Sequence, residues 1–301
     1  MDSNLQGLIL KIVSEYCYVL FENEVFECKA IGSLRHQQIK LTVGDLAFFE
    51  ILDGVNKKGS ITGIQKRRNE LKRPRIANID QVVIVTSVSN PDFASYILNK
   101  YLAFVEILEI KPILAFTKTD LIPHDHEFLK EIQGYKKLGY DSFLINNKVE
   151  TNDNWEAFKN ILKNKISVFT GQTGAGKSTT LNHLIPGLSE KTQEISKALN
   201  RGRHTTTKNE LFFVNNGYIG DTPGFSSFEL DNVSQTELSQ SYQFFKDNLG
   251  KCKFRDCLHI ESSPQCFIKR SVELRDFPEF IYNDYLKMIE EIKKIESRKK
   301  F

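Results

Sequence analysis

The sequence predicts a multidomain chain: a small β-barrel, then an α/β domain, then a helical C-terminal region. Three observations predict it. From Leu5 to about Gln65, short runs of β-branched, aromatic and aliphatic residues are separated by turn signals, with no convincing helix. From Gln81 to Leu184, buried-strand runs alternate with stretches of helical spacing, the pattern of a mostly parallel sheet. Beyond about Leu230 the chain turns helical and carries three of its five cysteines between Cys252 and Cys266.

Composition bounds the function classes. The 301 residues are 40% hydrophobic and 26% charged, with 8 prolines and 17 glycines, which excludes a disordered or collagen-like chain. The longest apolar stretch, Val82 to Val88, is interrupted by Thr86 and Ser87, well short of the roughly 18 residues of a membrane helix. The chain opens Met1-Asp2-Ser3-Asn4, with no positive charge ahead of an apolar run, so a cytoplasmic protein without a membrane partner is expected, and a monomer. An odd, clustered set of cysteines argues for a metal site in a reducing compartment over a disulfide framework. The net charge of +3 predicts no partner. Local charge is denser. Lys57, Lys58, Lys66, Arg67, Arg68, Lys72, Arg73 and Arg75 are opposed only by Glu70, a pattern that fits a solvated linker as well as a polyanion-binding segment.

In chain order, Leu8-Ile9-Leu10, Tyr16 to Phe21, Val25 to Cys28 and Leu46 to Leu52 are the barrel strands. Turns are expected at Glu22-Asn23, Gly32-Ser33, Val43-Gly44-Asp45 and Asp53-Gly54. The oligonucleotide-binding fold is a common barrel of this size, and a barrel used only for packing or protein contacts is the alternative. Gln81 to Ser87 reads as a strand covered on both faces, Tyr96 to Ile107 as a helix and Pro112 to Phe116 as a second buried strand. Glu127 to Leu138 is expected to be helical, Asp141 to Ile145 a strand, Trp155 to Lys163 a helix, Ile166 to Thr170 a strand and Lys177 to Leu184 a helix. Pro278 to Phe301 is a charged amphipathic helix. The boundaries implied are 1–68 for the barrel, 69–229 for the α/β domain and 230–301 for the helical region.

The strongest motif is Gly171-Gln172-Thr173-Gly174-Ala175-Gly176-Lys177-Ser178, with Thr179 beside it, between a predicted strand and a predicted helix. Its glycines let backbone N–H groups turn around phosphate oxygens, and the helix N-terminus adds partial positive charge. Lys177 is the residue to neutralise β- and γ-phosphate oxygens, and Ser178 a ligand for Mg²⁺. Asp221-Thr222-Pro223-Gly224 follows the strand-like Gly217 to Gly220. There Asp221 can hold Mg²⁺ through water, and Gly224 can donate its N–H to a γ-phosphate. Between them lies Gly202-Arg203-His204-Thr205-Thr206-Thr207, where Thr206 can complete the Mg²⁺ shell; a plain threonine-rich loop is the alternative. Thr117-Lys118-Thr119-Asp120 follows the strand at Pro112 to Phe116. Its aspartate can accept from the N1–H and N2–H₂ edge of guanine, a donor pair that adenine lacks.

The pieces run in the order base-reading motif, phosphate loop, first switch, second switch, whereas ordinary GTPases place the base-reading motif last. In this order the sequence resembles the circularly permuted GTPases of the RsgA (YjeQ) family, which act in small ribosomal subunit biogenesis. The resemblance covers nearly the whole chain. It includes Cys28-Lys29-Ala30-Ile31-Gly32-Ser33-Leu34-Arg35, Ala77-Asn78-Ile79-Asp80 and Gly171 to Ser178, together with His204 to Thr207, Asp221 to Gly224 and the cysteine cluster. Two departures stand out. The family's base-reading motif begins with Asn where this chain has Thr117, so weaker guanine affinity is expected with selectivity kept by Asp120. The fifth motif is not clear, and Ile145-Asn146-Asn147 stands in about its place. Phe225 follows Gly224 where many GTPases place a water-orienting glutamine, so slow intrinsic hydrolysis is expected. His204 is then the candidate to orient water once a partner orders its loop; a surface histidine steadying the threonine run is the alternative.

Cys252-x₄-Cys257-x-His259-x₆-Cys266 supplies three thiolates and an imidazole, the donor set of a structural zinc site with no open position. The barrel, the basic run and the C-terminal region with Lys269-Arg270 point to RNA. The resemblance implies the small ribosomal subunit and its rRNA as partner, GTP and GDP as ligands, and hydrolysis stimulated by that particle. Two other readings remain: a non-catalytic RNA-binding module with a nucleotide as structural ligand, and an ATPase with a coincidental T-K-x-D.

Overall fold

The computed structural model describes residues 5–32, 34, 39–72, 75–123, 125–149, 153–188, 210–220 and 230–299. Two compact units emerge from the packing: Met1–Gln81 with Glu156–Phe169 and Thr180–Phe225, and Val82–Trp155 with Thr170–Thr179 and Ser226–Phe301.

In the first unit, β1 (Leu5–Val13), β2 (Tyr16–Phe21), β3 (Glu24–Ala30), β4 (Leu46–Asp53) and β5 (Lys58–Ile64) close into a barrel of order β1-β2-β3-β5-β4. All pairings are antiparallel except β3 with β5, the five-stranded closure of an oligonucleotide-binding-type barrel. Period-2 alternation drives this closure. Ile9, Cys17, Val19, Phe26, Cys28, Ala47, Phe49 and Ile61 face one core. The β2–β3 hairpin turns through Glu22 (φ 48°) and Asn23 (φ 66°), the two left-handed residues a two-residue hairpin of matching twist requires.

The basic run is not a solvated linker. Its first half is strand β5, because Ile61 points into the core, and its second half forms a two-stranded ribbon, β6 (Glu70–Lys72) with β7 (Arg75–Ala77). Several of its cations are bound internally. Arg67 grips the buried Asp45 with two nitrogens at 2.7 and 2.9 Å and reaches Glu70 at 2.5 Å. Lys57 pairs with Glu24, Arg68 with Asp80 and Arg75 with Glu70. Lys58, Lys66 and Lys72 are exposed. The segment Ala77 to Asp80 is a joint: Asn78 donates to the Gly44 carbonyl (2.9 Å), and Asp80 accepts from the Ile166 amide (2.8 Å).

One mixed sheet has the order β10-β9-β8-β11-β13-β12, from β8 (Gln81–Ser87), β9 (Lys111–Thr117), β10 (Ser142–Ile145), β11 (Ile166–Gly171), β12 (Leu211–Val214) and β13 (Gly217–Gly220). Strands β9 and β10 are parallel, β11 and β13 are parallel, and β12, which the sequence did not reveal, is an antiparallel edge. The helices of the central region are α1 (Ser95–Ile107), α2 (Phe128–Lys137), α3 (Asp153–Leu162) and α4 (Lys177–Leu184), each within a few residues of its expected span.

The C-terminal helices α5 (Gln235–Ser239), α6 (Gln243–Lys246), α7 (Phe267–Glu273) and α8 (Glu279–Arg298) belong to the second unit. A Ser234–Glu237 capping box starts α5. Helix α8 lies against α1 through a buried polar seam: Asn99 donates to Asp284 (2.9 Å), and Tyr135 donates to Asn99 (3.0 Å). Among the described residues, no helix is long and apolar enough to cross a membrane.

The buried carboxyl of Glu106, at the end of α1, accepts from the Tyr140 hydroxyl (3.1 Å) and the Gln243 amide (3.0 Å). Burial raises its pKa to about 7 despite these donors. A carboxyl whose folded pKa lies above its unfolded value favours folding at low pH, and that contribution is lost as pH rises from about 4.5 to about 7. Glu106→Gln is therefore expected to raise the melting temperature at pH 8 relative to wild type, with a smaller gain or none at pH 5. Equal shifts at both pH values, read by thermal denaturation, would contradict it.

Candidate nucleotide site and metal centre

The phosphate-loop motif stands between β11 and α4, as its pattern predicts. A Cβ on Gly171 would lie 2.0 Å from the Val85 carbonyl oxygen, so only glycine lets the chain leave β11 at this point. Gly174 (φ 80°) and Gly176 (φ 86°) are left-handed, and they alternate with other conformations to make a concave nest of N–H groups. Helix α4 opens at Lys177, so the amides of its first turn point out of the helix end toward that nest.

Thr117 ends β9 and is fully buried. Its hydroxyl donates to the Ala175 carbonyl of the phosphate loop at 2.5 Å. The hydroxyl thus ties the end of β9 directly to the phosphate loop. Lys118 adopts φ 58° and caps a short 3₁₀ turn over Thr119–Leu121, and its ammonium bonds the Asn90 carbonyl. That turn carries Asp120, whose carboxylate meets the Lys148 ammonium at 2.6 Å. The Lys148 hydrogen bond holds Asp120 below the usual carboxylate range.

Two further segments flank the loop, the first not legible in the sequence and the second standing where the unclear fifth motif was expected. The loop after β8 reaches the site, with Pro91 Cδ 3.4 Å from the place a Gly174 Cβ would take and the Ser87 hydroxyl donating to the Pro91 carbonyl (2.7 Å). After β10, Asn147 Nδ2 lies 3.6 Å from the corresponding position at Gly176, which puts the Ile145-Asn146-Asn147 segment beside the phosphate loop. The parallel register Ile145↔Thr117 is the cause: loops leaving adjacent parallel strands at one level share one end of the sheet.

The second cluster is Cys252, Cys257, His259 and Cys266, whose ligand atoms all lie within 4.8 Å of one another. His259 Nδ1 is 3.4 Å from Cys266 Sγ and 3.7 Å from Cys252 Sγ. The other ring nitrogen, Nε2, faces the Ser239 carbonyl at 3.2 Å, which fixes the tautomer that leaves Nδ1 free to ligate. Burial lowers the His259 pKa to about 4, so the imidazole is neutral, and raises that of Cys266 to about 12. Three cysteine sulfurs gathered around a neutral imidazole are a donor set that a divalent cation such as zinc satisfies. The backbone supports it: the Phe267 amide donates to Cys252 Sγ (3.3 Å), and α8 holds the loop through Tyr282 to the His259 carbonyl (2.6 Å) and Tyr285 to the Leu258 carbonyl (2.5 Å).

Comparison with known proteins decides the family. The RsgA GTPase family model matches residues 64–231, and the RsgA N-terminal domain model matches residues 6–61. The chain belongs to the RsgA GTPase family. Among curated RsgA proteins, the small ribosomal subunit biogenesis GTPase RsgA 2 of Oceanobacillus iheyensis is 42% identical over 95% of this chain and 97% of the relative. The Geobacillus sp. RsgA is 39% identical over 97% and 99%. Of solved structures, YloQ, described as a circularly permuted GTPase, superposes with a TM-score of 0.80 at 33% identity, covering 98% of both chains. Thermotoga maritima YjeQ gives 0.80 at 31% identity over 96% and 98%.

Within this RsgA-family fold, Thr117 to Asp120 and Gly171 to Thr179 converge on one end of the sheet, and the four metal donors converge on one point. His204, Thr206, Asp221 and Gly224 lie outside the described residues, as does Phe225.

Proposed function

We propose that this RsgA-family chain is a GTPase that binds the small ribosomal subunit and its rRNA, hydrolyses GTP to GDP and phosphate when stimulated by that particle, and serves small-subunit maturation in the cytoplasm. The observation that carries the reading is the Thr117–Ala175 hydrogen bond, which couples a guanine-reading loop to a phosphate cradle. In this reading Asp120 accepts from the guanine N1–H and N2–H₂, with Thr117, Lys118 and Thr119 shaping its loop. The amides from Gly171 to Thr179 hold the phosphates, and Lys177 neutralises charge on the β- and γ-oxygens as the terminal phosphoryl group is transferred to water. Ser178, Thr206 and Asp221 are the residues that would hold Mg²⁺, which would neutralise phosphate charge there. Gly224 reads the γ-phosphate.

Cys252, Cys257, His259 and Cys266 would hold one structural zinc ion. Four protein donors leave no site for chemistry, so the cluster staples the C-terminal helices. The parts correspond to a barrel over 1–68, a permuted GTPase domain over 69–229 and a zinc-bearing helical domain over 230–301. The exposed Lys58, Lys66 and Lys72, with Lys269 and Arg270, are the cations offered to rRNA phosphates, which makes particle binding salt-dependent.

Because Phe225 cannot orient water, His204 is assigned that task. The initial rate of GTP hydrolysis, with and without small subunits, tests the reading. A large stimulation is expected for wild type, and His204→Ala is expected to lose the stimulated part while still binding GTP. Turnover unchanged in the variant would remove His204 from the mechanism. No stimulation of the wild type would leave a nucleotide-liganded RNA-binding module.

A further inference from the structure

We infer that Lys148 is a positioning residue that competes with guanine for the Asp120 carboxylate and so sets how strongly the site prefers guanine over bases lacking the exocyclic amine. The inference rests on the reading of Asp120 as the guanine acceptor. Lys148 stands three residues beyond Ile145, as Asp120 stands three beyond Thr117, and Ile145 and Thr117 are register partners on parallel strands. The sheet therefore delivers the ammonium and the carboxylate to the same level.

The loop that presents Lys148 is built. The Asn146 side chain accepts from the Lys148 amide (2.9 Å), an Asx turn, and the Asn146 carbonyl accepts from the indole N–H of the buried Trp155 (3.0 Å). The ammonium then lies 2.6 Å from Asp120 Oδ2. Asp120 is the more enclosed partner, with 18% of its side chain exposed against 73% for Lys148.

Guanine presents two donors to one carboxylate and needs both oxygens, whereas hypoxanthine presents only N1–H and needs one. With Lys148 on Oδ2, a one-donor base can pair with the other oxygen and leave the ion pair intact. A two-donor base has to displace or share the lysine. Lys148 thus takes from guanine part of the advantage that its amine would otherwise confer.

The test is equilibrium binding of GDP and of inosine diphosphate to the full chain, wild type against Lys148→Ala. The truncated side chain is largely exposed, so the variant is expected to fold. Removing an exposed ion pair should tighten GDP about two- to fivefold and leave inosine diphosphate nearly unchanged, so that the ratio of the two affinities rises. Unchanged or weaker GDP binding, or an equal shift of both nucleotides, would overturn the inference. Asp120→Asn separates the two levels. If that variant binds GDP as tightly as wild type, the guanine reading itself fails. If it loses GDP while Lys148→Ala leaves the ratio unmoved, only the role of Lys148 fails.

Discussion

Lys177→Ala is expected to lower small-subunit-stimulated GTP hydrolysis by at least about 10²–10³-fold, the scale of losing one aimed charge-stabilising donor from an acyl- or phosphoryl-transfer site. The lysine opens α4, directly after the left-handed Gly176, where the proposed phosphate cradle meets the helix end. Negative charge shifts among the β- and γ-oxygens as the γ-phosphoryl group leaves, and an ammonium fixed there stabilises that redistribution without reorganising. Alanine is the better helix former, so the change should not weaken α4. Initial rates with saturating small subunits, beside a thermal melt, separate chemistry from folding. A variant that keeps more than about a tenth of the wild-type rate would remove Lys177 from the proposed role.

Loss of the metal is expected to have the largest effect on stability. The loop from Cys252 to Cys266 is tied to α8 by two tyrosine hydroxyls, and His259 packs edge-on against Phe245 at 5.0 Å between ring centroids. Tyr242, Phe245, Phe277 and Tyr285 are fully or almost fully buried around it. Without a cation, His259 and the three cysteines are left to pack against one another in that aromatic surround. Since binding energy at such a site is folding energy, chelation or Cys266→Ala should cost at least about 3 kcal/mol, or roughly 6–12 °C in Tm. Purified protein should carry one zinc per chain by elemental analysis. Metal-free protein with an unchanged Tm would make the cluster a set of buried thiols and nothing more.

The legible features share a physical cause. The phosphate loop, the four metal donors and the helix at Lys177–Leu184 are local. Each is specified within about fifteen residues by backbone conformation or ligand spacing, so the chain need not be folded in the mind to find them. Gly171 illustrates this: the motif demands glycine, and the fold supplies the reason in the Val85 carbonyl. Strand β5 was hidden in a basic run because charge dominates its flanks, whereas its pairing with β3 joins residues such as Glu27 and Lys58 that are far apart in the chain.

Composition, hydrophobic period and motif order by themselves determined that this chain has a β-barrel, an α/β core and a helical C-terminal region, and that the base-reading motif precedes the phosphate loop. They carried this because strand and helix periods and short-range ligand spacings are written along the chain. Only the tertiary structure decided that the Thr117 hydroxyl makes the tie to Ala175, that Arg67 is spent on a buried Asp45, and that Lys148 meets Asp120. Those outcomes rest on strand register and on which side chain arrives at a shared level of the sheet. Such distances join residues tens of positions apart, and no local pattern encodes them.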